Sequence, residues 1–257
     1  MKDRWMIIDV SNWAHKLLYA GRSDAERAVE AFRRWHDYMD VNVKPFRIVY
    51  AFDSPGHSFR KQLLPSYKAN RKPPPVGLAD VLDGAERLAI DEGCEIVRSE
   101  GFEADDLIAT VAEVARTRNA RVVICSSDKD LRQLLRRGEV TIATTVSVSK
   151  GIEWFTEATL MENFGLRPSQ WIDYQTLVGD STDNVGGCPG IGDKRARDLL
   201  RRCGSIDDYF KHPWRTKLSE RQRAEMLRFR SCLDVTRQLV TLRTDVPLGD
   251  GWEETLS

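Results

Sequence analysis

The chain has 257 residues, of which 41% are apolar and 30% are charged. This composition is typical of a folded globular protein and excludes an intrinsically disordered chain. Its 39 basic and 39 acidic residues cancel, so we expect any nucleic acid to be bound through local basic patches rather than through bulk charge.

The apolar runs, the N-terminal sequence and the cysteines indicate the cellular compartment of the protein. No apolar run in the sequence approaches the length of a membrane span, and the N-terminal MKDRWMIIDV lacks the apolar segment of a signal peptide. The five cysteines are scattered and form no CxxC pair, which predicts reduced thiols and no zinc site. We therefore predict a cytoplasmic protein, in the bacterial cytoplasm or nucleoid or in a phage-infected cell.

Strands and helices alternate over the first two thirds of the chain. Apolar runs predict strands at 5–8, 47–52, 95–98 and 121–125, and helical periodicity predicts helices at 25–40, at 78–92, after residue 102 and at 131–136. This order predicts an α/β fold with a largely parallel central sheet flanked by helices. From about Gly165 the pattern is helical, so we predict a second, smaller helical region.

Acidic residues recur where the predicted strands end. Three of these strands are followed by Asp9, Asp53 and Asp128, and the stretch GFEADDLIAT adds further acids at the start of a helix. Ligands of open α/β sheets bind beyond the carboxyl ends of the strands, so we expect these acids to meet there. The complete candidate set comprises Asp9, Asp53, Glu103, Asp105, Asp106, Asp128, Asp130, Asp180 and Asp183.

Two interpretations of these acids compete. Helix capping explains one or two acids at the start of a helix, and each strand-end aspartate alone could be a turn residue. Their recurrence favours a metal site, because clustered like charges stay ionised only when cations compensate them. Oxygen ligands without histidine or cysteine suit Mg²⁺ or Mn²⁺. Two such ions can activate water and stabilise the leaving oxygen of a phosphodiester.

A basic segment follows the second predicted strand. Residues 44–72 carry seven lysines or arginines against one acid. If 66–72 is helical, then Lys68, Arg71 and Lys72 share one face beside Tyr67. Such a face suits single-stranded nucleic acid, although composition alone favours an ordinary solvated helix.

The sequence GGCPGIGDKRARDLLRR, residues 186–202, predicts a tight hairpin followed by a helix. Gly187, Gly190 and Gly192 permit the hairpin, and the free N–H groups of the helix can bind a phosphate. Lys194 and Arg195 are predicted to be exposed. A helix–hairpin–helix element of this kind binds duplex phosphates without reading base sequence.

Together these segments resemble the 5′-nuclease superfamily of flap endonucleases and 5′–3′ exonucleases. The bacterial and bacteriophage branch is most similar, together with the N-terminal nuclease domain of DNA polymerase I. The resemblance rests on IIDVSN, FDSPGHSFRKQLLPSYKANR, GFEADDLIAT, SSDKDLRQLL and VGDSTDNVGGCPGIGDKRA, in family order. It implies a PIN-like nuclease domain at 1–165 with an arch at 58–75. A helix–three-turn–helix DNA-binding region at 166–257 would contain the 186–202 motif.

The resemblance also implies roles for individual residues. The candidate acids would bind two Mg²⁺ or Mn²⁺ ions, with Asp180 and Asp183 assigned to the second. Lys68 and Arg71 would steer and polarise the scissile phosphate, and Arg60 and Tyr67 would contact DNA from the arch. In some relatives the hairpin carbonyls hold K⁺, so a K⁺ site is implied as well.

The implied function is that of a divalent-metal-dependent, structure-specific 5′ nuclease. It would hydrolyse DNA near single-strand/duplex junctions and leave 5′-phosphate and 3′-hydroxyl ends. Its partners would be branched or 5′-ended DNA and RNA–DNA hybrids, and no polymerase segment is expected after Ser257. Two alternatives stay open: a branched-DNA-binding protein that does not cut, and a PIN-type ribonuclease. The complete acid set argues against the first, and the hairpin motif argues against the second.

Overall fold

The computed structural model of the protein describes residues 2–21, 24–56, 58–147, 151–249 and 252. The chain folds into two compact units. A sheet unit contains 1–58, 73–156 and 242–257, and a helical unit contains 59–72 and 157–241. No helix in the described ranges is long and apolar enough to cross a bilayer.

The sheet unit is built on six strands in the order β3-β2-β1-β4-β5-β6. Strands β1 to β5 run parallel and β6 is antiparallel to β5, which confirms the predicted largely parallel sheet. The strands are β1 Arg4–Asp9, β2 Arg47–Ala51, β3 Glu95–Val97, β4 Arg121–Cys125, β5 Val140–Ser147 and β6 Gly151–Phe155.

The α-helices of the described residues are numbered in chain order. They are α1 Val10–Ala20, α2 Ala25–Val43, α3 Phe59–Leu63, α4 Leu78–Asp91, α5 Ala104–Thr117, α6 Glu157–Phe164, α7 Trp171–Val178, α8 Asp193–Cys203, α9 Ile206–Lys211, α10 Glu220–Phe229 and α11 Leu233–Val240. Helices α3 and α6 to α11 belong to the helical unit.

Helices cover both faces of the central strand β1. Its residues Met6, Ile7 and Ile8 are fully buried, as expected for a parallel strand covered on two sides. Met6 and Ile8 pack with the aromatic residues of α2, such as Phe32, and with α4. Because neighbouring side chains alternate between faces, Ile7 lies on the other side, and α5 packs against β1 and β4.

Several elements differ from the sequence prediction, among them helix α1, which was not predicted. Strands β5 and β6 were not predicted, because polar and small residues such as Thr141, Thr144 and Glu153 interrupt their apolar pattern. The helix predicted at 131–136 is a short 3₁₀ turn, Asp130–Leu134.

The two compact units are composed differently from the two predicted domains, whose boundary at 165 stays a prediction. The segment 59–72, predicted as part of the first domain, belongs to the helical unit, and 242–257 belongs to the sheet unit. In the helical unit, Tyr67 packs with Val185 and with Leu239 and Val240 of α11. These partners are distant in sequence, so local patterning could not reveal the grouping.

The helical unit has its own core around α8. Ala196, Leu199, Leu200 and Cys203 form its buried face and pack with neighbours that include Leu177 of α7. The lysines and arginines of α8 are left outside that core, as the sequence predicts.

Candidate metal centre and nucleic-acid interface

The register of the sheet brings the strand-end acids to one edge. Asp9 at the end of β1 pairs with Ala51 of β2, and Ile8 pairs with Cys125 of β4. Paired strands lie about 4.8 Å apart, so Asp9 is flanked by Ala51, two residues before Asp53, and by Ser126, two residues before Asp128.

Ser126 links two of these acids. Its buried hydroxyl donates to Asp9 Oδ2 at 2.6 Å and accepts the Asp128 N–H at 3.0 Å. The other oxygen of Asp9 accepts the Asn12 N–H at 3.0 Å and thereby caps α1. Sequence analysis did not select Ser126, although it stands inside the quoted SSDKDLRQLL motif.

Asp53 connects the end of β2 to the start of α5. Its Oδ1 accepts the Ala104 N–H at 3.0 Å, and its Oδ2 accepts the Ser11 hydroxyl at 2.6 Å. Since Ala104 begins α5, this bond brings Asp53 to the helix terminus that carries Glu103 and Asp105. Acids therefore do cap the start of α5, as the capping interpretation expects, and one of them, Asp53, comes from the end of β2.

The remaining acids of the sheet unit join the same cluster. Asp130 donates its N–H to Asp128 Oδ1 at 2.8 Å. Burial raises the pKa of Asp105 well above its usual range, and the nearby charges of Asp128, Asp9, Asp130 and Asp53 raise it further.

Burial also raises the pKa of Asp9. It reaches about 7, even though hydrogen bonds from Ser126 and Asn12 lower it, because the charges of Asp53 and Asp128 add to the effect of burial. Ionising this cluster therefore requires a compensating positive charge.

The residues fit a divalent cation. The donors are carboxylates, the ligand class that Mg²⁺ and Mn²⁺ prefer. Each carboxylate oxygen has two lone pairs, so an oxygen that accepts one N–H or O–H, as in Asp9 and Asp53, can also bind a cation. Asp9, Asp53, Asp105, Asp128 and Asp130 would hold it in the sheet unit, with Glu103 at the adjoining helix terminus.

Asp106 has a different geometry from the other acids. It is fully buried, its Oδ2 accepts the Glu103 N–H at 3.3 Å, and its Oδ1 accepts the Arg243 N–H at 2.9 Å. Both oxygens stabilise backbone, one at the start of α5 and one in the C-terminal segment. Each oxygen of Asp106 keeps a second lone pair, as in Asp9 and Asp53, so its role as a metal ligand stays a prediction beside this structural role.

In the helical unit the structure brings Asp183 together with the predicted arch residues. Arg71 donates from Nε and Nη2 to Asp183 Oδ1 at 3.0 and 2.6 Å, and the Tyr67 hydroxyl donates to Oδ2 at 3.2 Å. The Lys68 N–H donates to the Asp183 carbonyl oxygen at 2.9 Å. Asp180 lies in the same unit, where its Oδ1 accepts the Thr182 N–H at 2.8 Å and forms a turn.

Three predictions for the arch segment need correction. Residues 66–72 are not helical, because Lys68 has the left-handed φ of 58° that ends a helix. Arg60 is only 2% exposed and donates to the carbonyl oxygens of Leu239 and Thr241 at 2.8 and 3.2 Å. Tyr67 is buried as well. In this conformation neither side chain presents a surface to DNA, whereas Arg71 is exposed and Lys68 half-buried.

The predicted hairpin is present between α7 and α8. A Cβ at Gly187 would lie 2.4 Å from the Val178 carbonyl carbon, so only glycine fits. Gly190 has a φ of 77°, and Gly192 precedes the first residue of α8. Lys194 and Arg195 are exposed on the first turn of that helix.

The hairpin borders a surface cavity of about 330 Å³ whose lining includes Gly190, Arg195, Arg221 and Gln222. Gln222 Nε2 donates to the Gly190 carbonyl oxygen at 3.1 Å. The Gly190 carbonyl oxygen therefore already accepts one hydrogen bond, and only its second lone pair is left for a K⁺ ion. The lining also includes Glu225, which pairs with Arg228 at 2.6 Å, so the cavity has two arginines against one acid that already has a cationic partner.

Comparison with known proteins decides the family. Residues 4–165 match the 5′-3′ exonuclease N-terminal, resolvase-like domain, and residues 166–256 match the 5′-3′ exonuclease C-terminal SAM fold. The chain belongs to the 5′-3′ exonuclease family. This result confirms the resemblance inferred from the motifs.

Individual relatives of this exonuclease family differ in length. DNA polymerase I of Rhizobium leguminosarum is 38% identical over 209 residues, which cover 81% of this chain and 20% of that protein. The flap endonuclease Xni of Vibrio parahaemolyticus is 31% identical over 255 residues, covering 95% of this chain and 92% of that protein. The chain thus spans about a fifth to a third of the DNA polymerase I relatives that it matches.

Solved structures share the fold. The bacteriophage T5 5′-exonuclease with bound divalent zinc ions has a TM-score of 0.77 at 20% identity, covering 94% of this chain and 90% of that one. The T5 flap endonuclease in a complex with DNA and metal ions has a TM-score of 0.71 at 20% identity, covering 92% and 88%.

Proposed function

We propose that this exonuclease-family chain is a divalent-metal-dependent, structure-specific 5′ nuclease. It hydrolyses DNA near single-strand/duplex junctions and leaves 5′-phosphate and 3′-hydroxyl ends. The observation that carries the proposal is the cluster of Asp9, Asp53, Asp105, Asp128 and Asp130: burial raises the pKa of Asp105, and the charges of the other four acids raise it further. Like charges this close repel one another, and the cations that they would bind remove that repulsion.

Two divalent ions, Mg²⁺ or Mn²⁺, would supply the chemistry by activating water and by stabilising the leaving oxygen of the phosphodiester. The chain itself supplies the carboxylates and holds them in place. Ser126 orients Asp9, and Ala104 and Ser11 orient Asp53. Hydrogen-bonded carboxylates keep their positions when charge is added nearby, which is the usual role of outer partners at a metal site.

The basic residues bind and orient the DNA. The hairpin with Lys194 and Arg195 holds phosphates of the duplex. Lys68 and Arg71 contact the phosphate to be cleaved, and Arg71 would exchange its bonds to Asp183 for bonds to that phosphate. Asp180 and Asp183 would serve the second ion.

The DNA substrate is supported by the relatives, which include a flap endonuclease and DNA polymerases, and by a solved neighbour with DNA and metal ions. RNA–DNA hybrids are predicted as further substrates. The K⁺ site at the hairpin and the cytoplasmic location also stay predictions.

A 5′-flap DNA labelled at its 5′ end tests the proposal, incubated with Mg²⁺ or with EDTA. We expect short labelled products with Mg²⁺ only, and we expect Asp128→Asn to abolish cleavage while a gel-shift assay shows unchanged DNA binding. Intact substrate that is bound in the shift assay would instead support the non-cutting branched-DNA-binding protein. Preferential cleavage of a single-stranded RNA of the same sequence would support the ribonuclease.

A further inference from the structure

An exposed aromatic residue stands among cations outside the motifs used so far. Trp214 is 73% exposed. It lies in a segment that also contains Arg215, Lys217 and Arg221, all exposed. We call these four residues the Trp214 patch. Single exposed aromatic residues are common on protein surfaces, and Tyr19 is exposed to the same degree, so Trp214 is distinguished by the exposed cations near it in the sequence.

The backbone that carries Trp214 is anchored on both sides. The residues Pro213–Arg215 form a 3₁₀ turn after α9, and the Thr216 hydroxyl donates to the Pro213 carbonyl oxygen at 3.1 Å. Thr216 itself is buried. The His212 ring meets the indole edge to face at a centroid distance of 5.2 Å. The indole is thus presented on a supported turn, which lowers the entropy that binding would cost.

The cations of the patch are not compensated by acids. Among the described residues, Arg215, Lys217 and Arg221 form no ion pair. Other cations in the same region do, as Arg228 shows with Glu225 at 2.6 Å. Uncompensated lysine and arginine side chains attract phosphates.

The patch is continuous with the predicted phosphate grip. Arg221 lines the same cavity as Gly190 of the hairpin and Arg195 of α8. From Arg221 the chain leads back through Lys217 to Trp214. Arg221 thus belongs both to the patch and to the hairpin cavity, and Lys217 and Trp214 lie four and seven residues before it in the sequence.

We propose that the Trp214 patch is a second DNA contact, in which the indole stacks on an unpaired base of the strand bound at the hairpin. The inference rests on the proposed function and adds a contact to its substrate. Bases inside a duplex are already stacked, whereas unpaired bases stack on exposed aromatic rings beside cationic grooves. Tryptophan and arginine are also enriched in protein interfaces, and DNA binding that does not depend on a single-stranded tail would favour a protein partner instead.

Binding to three DNAs tests the proposal, with EDTA present to prevent cleavage. The DNAs are a blunt duplex and the same duplex with a 5′ or a 3′ single-stranded tail. A tail should strengthen binding to the wild type. Trp214→Ala should weaken binding to at least one tailed DNA by about tenfold and leave the blunt duplex unchanged, whereas Trp214→Phe should retain most of the affinity. Tyr19→Ala, which removes an equally exposed aromatic from the sheet unit, should bind all three DNAs as the wild type does.

The cations are tested by the salt dependence of the same affinities. The double variant Arg215→Ala/Lys217→Ala should reduce the slope of log affinity against log salt by about one to two for the tailed DNA. Equal tailed-to-blunt ratios in wild type and Trp214→Ala would overturn the stacking contact, and so would an equal loss on all three DNAs. If either of these results is obtained while the wild type cleaves a flap, the stacking contact is rejected and the proposed function is retained. If the wild type neither binds nor cleaves any of these DNAs, the proposed function falls with it.

Discussion

Ser126 is a small polar residue in the acidic cluster, where its hydroxyl makes two hydrogen bonds. It donates to Asp9 and accepts from the Asp128 N–H. Both acids follow strands that are neighbours in the sheet, so a single hydroxyl sets the spacing between them. Residues of this kind orient ligands rather than supplying them.

Replacing Ser126 by alanine should therefore weaken cation binding without removing a ligand. We expect Ser126→Ala to lower the affinity for Mn²⁺ by about tenfold, measured by calorimetric titration. Ser127→Ala is the matched control, because Ser127 is exposed and its hydroxyl donates to the Asn12 side-chain oxygen rather than to a carboxylate. Equal affinities in the two variants would contradict this role.

Lys68 belongs to a segment whose shape is set by the backbone. Its left-handed φ and its N–H bond to Asp183 hold it at one place in the helical unit. Its ammonium group is 5.1 Å from the centre of the Tyr67 ring. The side chain is thus kept close to the residues that contact Asp183.

If Lys68 polarises the phosphate, Lys68→Ala should slow cleavage of a 5′-flap DNA by about 100-fold. Affinity for the junction should stay nearly unchanged, since the proposed duplex contacts lie at the hairpin rather than at Lys68. Lys72→Ala removes an exposed lysine from the same segment and should cleave at close to the wild-type rate. A normal rate for Lys68→Ala would exclude the lysine from the mechanism.

At the scale of elements, the hairpin shows why particular glycines are required. Gly187 lies against the end of α7, where Val178 leaves no room for a side chain, while nothing lies within 4 Å of a Cβ built on Gly186. The two glycines are adjacent, so they form a natural pair for comparison.

Gly187→Ala should destabilise the protein by about 1–3 kcal/mol and weaken duplex binding, because the backbone must shift to accommodate the methyl group. Gly186→Ala should change the free energy of unfolding by less than about 1 kcal/mol. Urea denaturation and a gel shift with blunt duplex measure the two effects. Similar losses of stability and duplex affinity in both variants would contradict the view that glycine is needed at 187 because Val178 leaves no room for a side chain.

Helix α2 and strand β2 meet through a buried polar pair. The Tyr50 hydroxyl and His36 Nδ1 are 2.7 Å apart, and burial lowers the pKa of His36 below its usual 6.5. The folded state therefore favours the neutral ring. Below pH 6.5 the unfolded chain binds a proton that the folded state resists, so the stability contributed by His36 is complete above pH 6.5 and is lost as the pH falls through the folded-state pKa.

His36→Gln should accordingly flatten the dependence of unfolding free energy on pH between pH 7 and 5, measured by urea denaturation at each pH. His212→Gln, in the helical unit, should leave the slope of the wild type unchanged. An identical slope in His36→Gln and the wild type would contradict the assignment.

At the scale of the whole molecule, the sheet unit holds a cluster of like charges at one edge. Burial raises the pKa of Asp105, and the charges of Asp128, Asp9, Asp130 and Asp53, which lie at or after the ends of β1, β2 and β4, raise it further. The proposed function explains this repulsion, because a cation bound among the acids would stabilise the protein and its removal would destabilise it.

Adding Mg²⁺ or Mn²⁺ to metal-free protein should therefore raise the unfolding midpoint by about 2–8 °C at a hundredfold excess over Kd. Asp105→Asn should melt higher than the wild type in EDTA, because it removes one of the repelling charges, and should respond less to the cation. Asp83→Asn, an exposed acid on α4, should behave as the wild type in both buffers. A cation-independent midpoint for the wild type would argue against the metal centre.

The sequence by itself determined the features that depend on neighbouring residues. Apolar runs that end in aspartate predicted β1, β2 and β4 and the edge at which Asp9, Asp53 and Asp128 meet, because parallel strands align their carboxyl ends. The glycine spacing predicted the hairpin and the start of α8. The motifs, read in order, predicted the family.

Only the tertiary structure decided the roles that depend on distant partners. Arg60 is buried by carbonyl groups near residue 240, Tyr67 and Arg71 bind Asp183, and Asp106 supports the backbone of Arg243. These partners are separated by more than 100 residues in sequence. A charged side chain looks the same in sequence whether it meets solvent, a cation or a buried carbonyl group, and only packing selects among them.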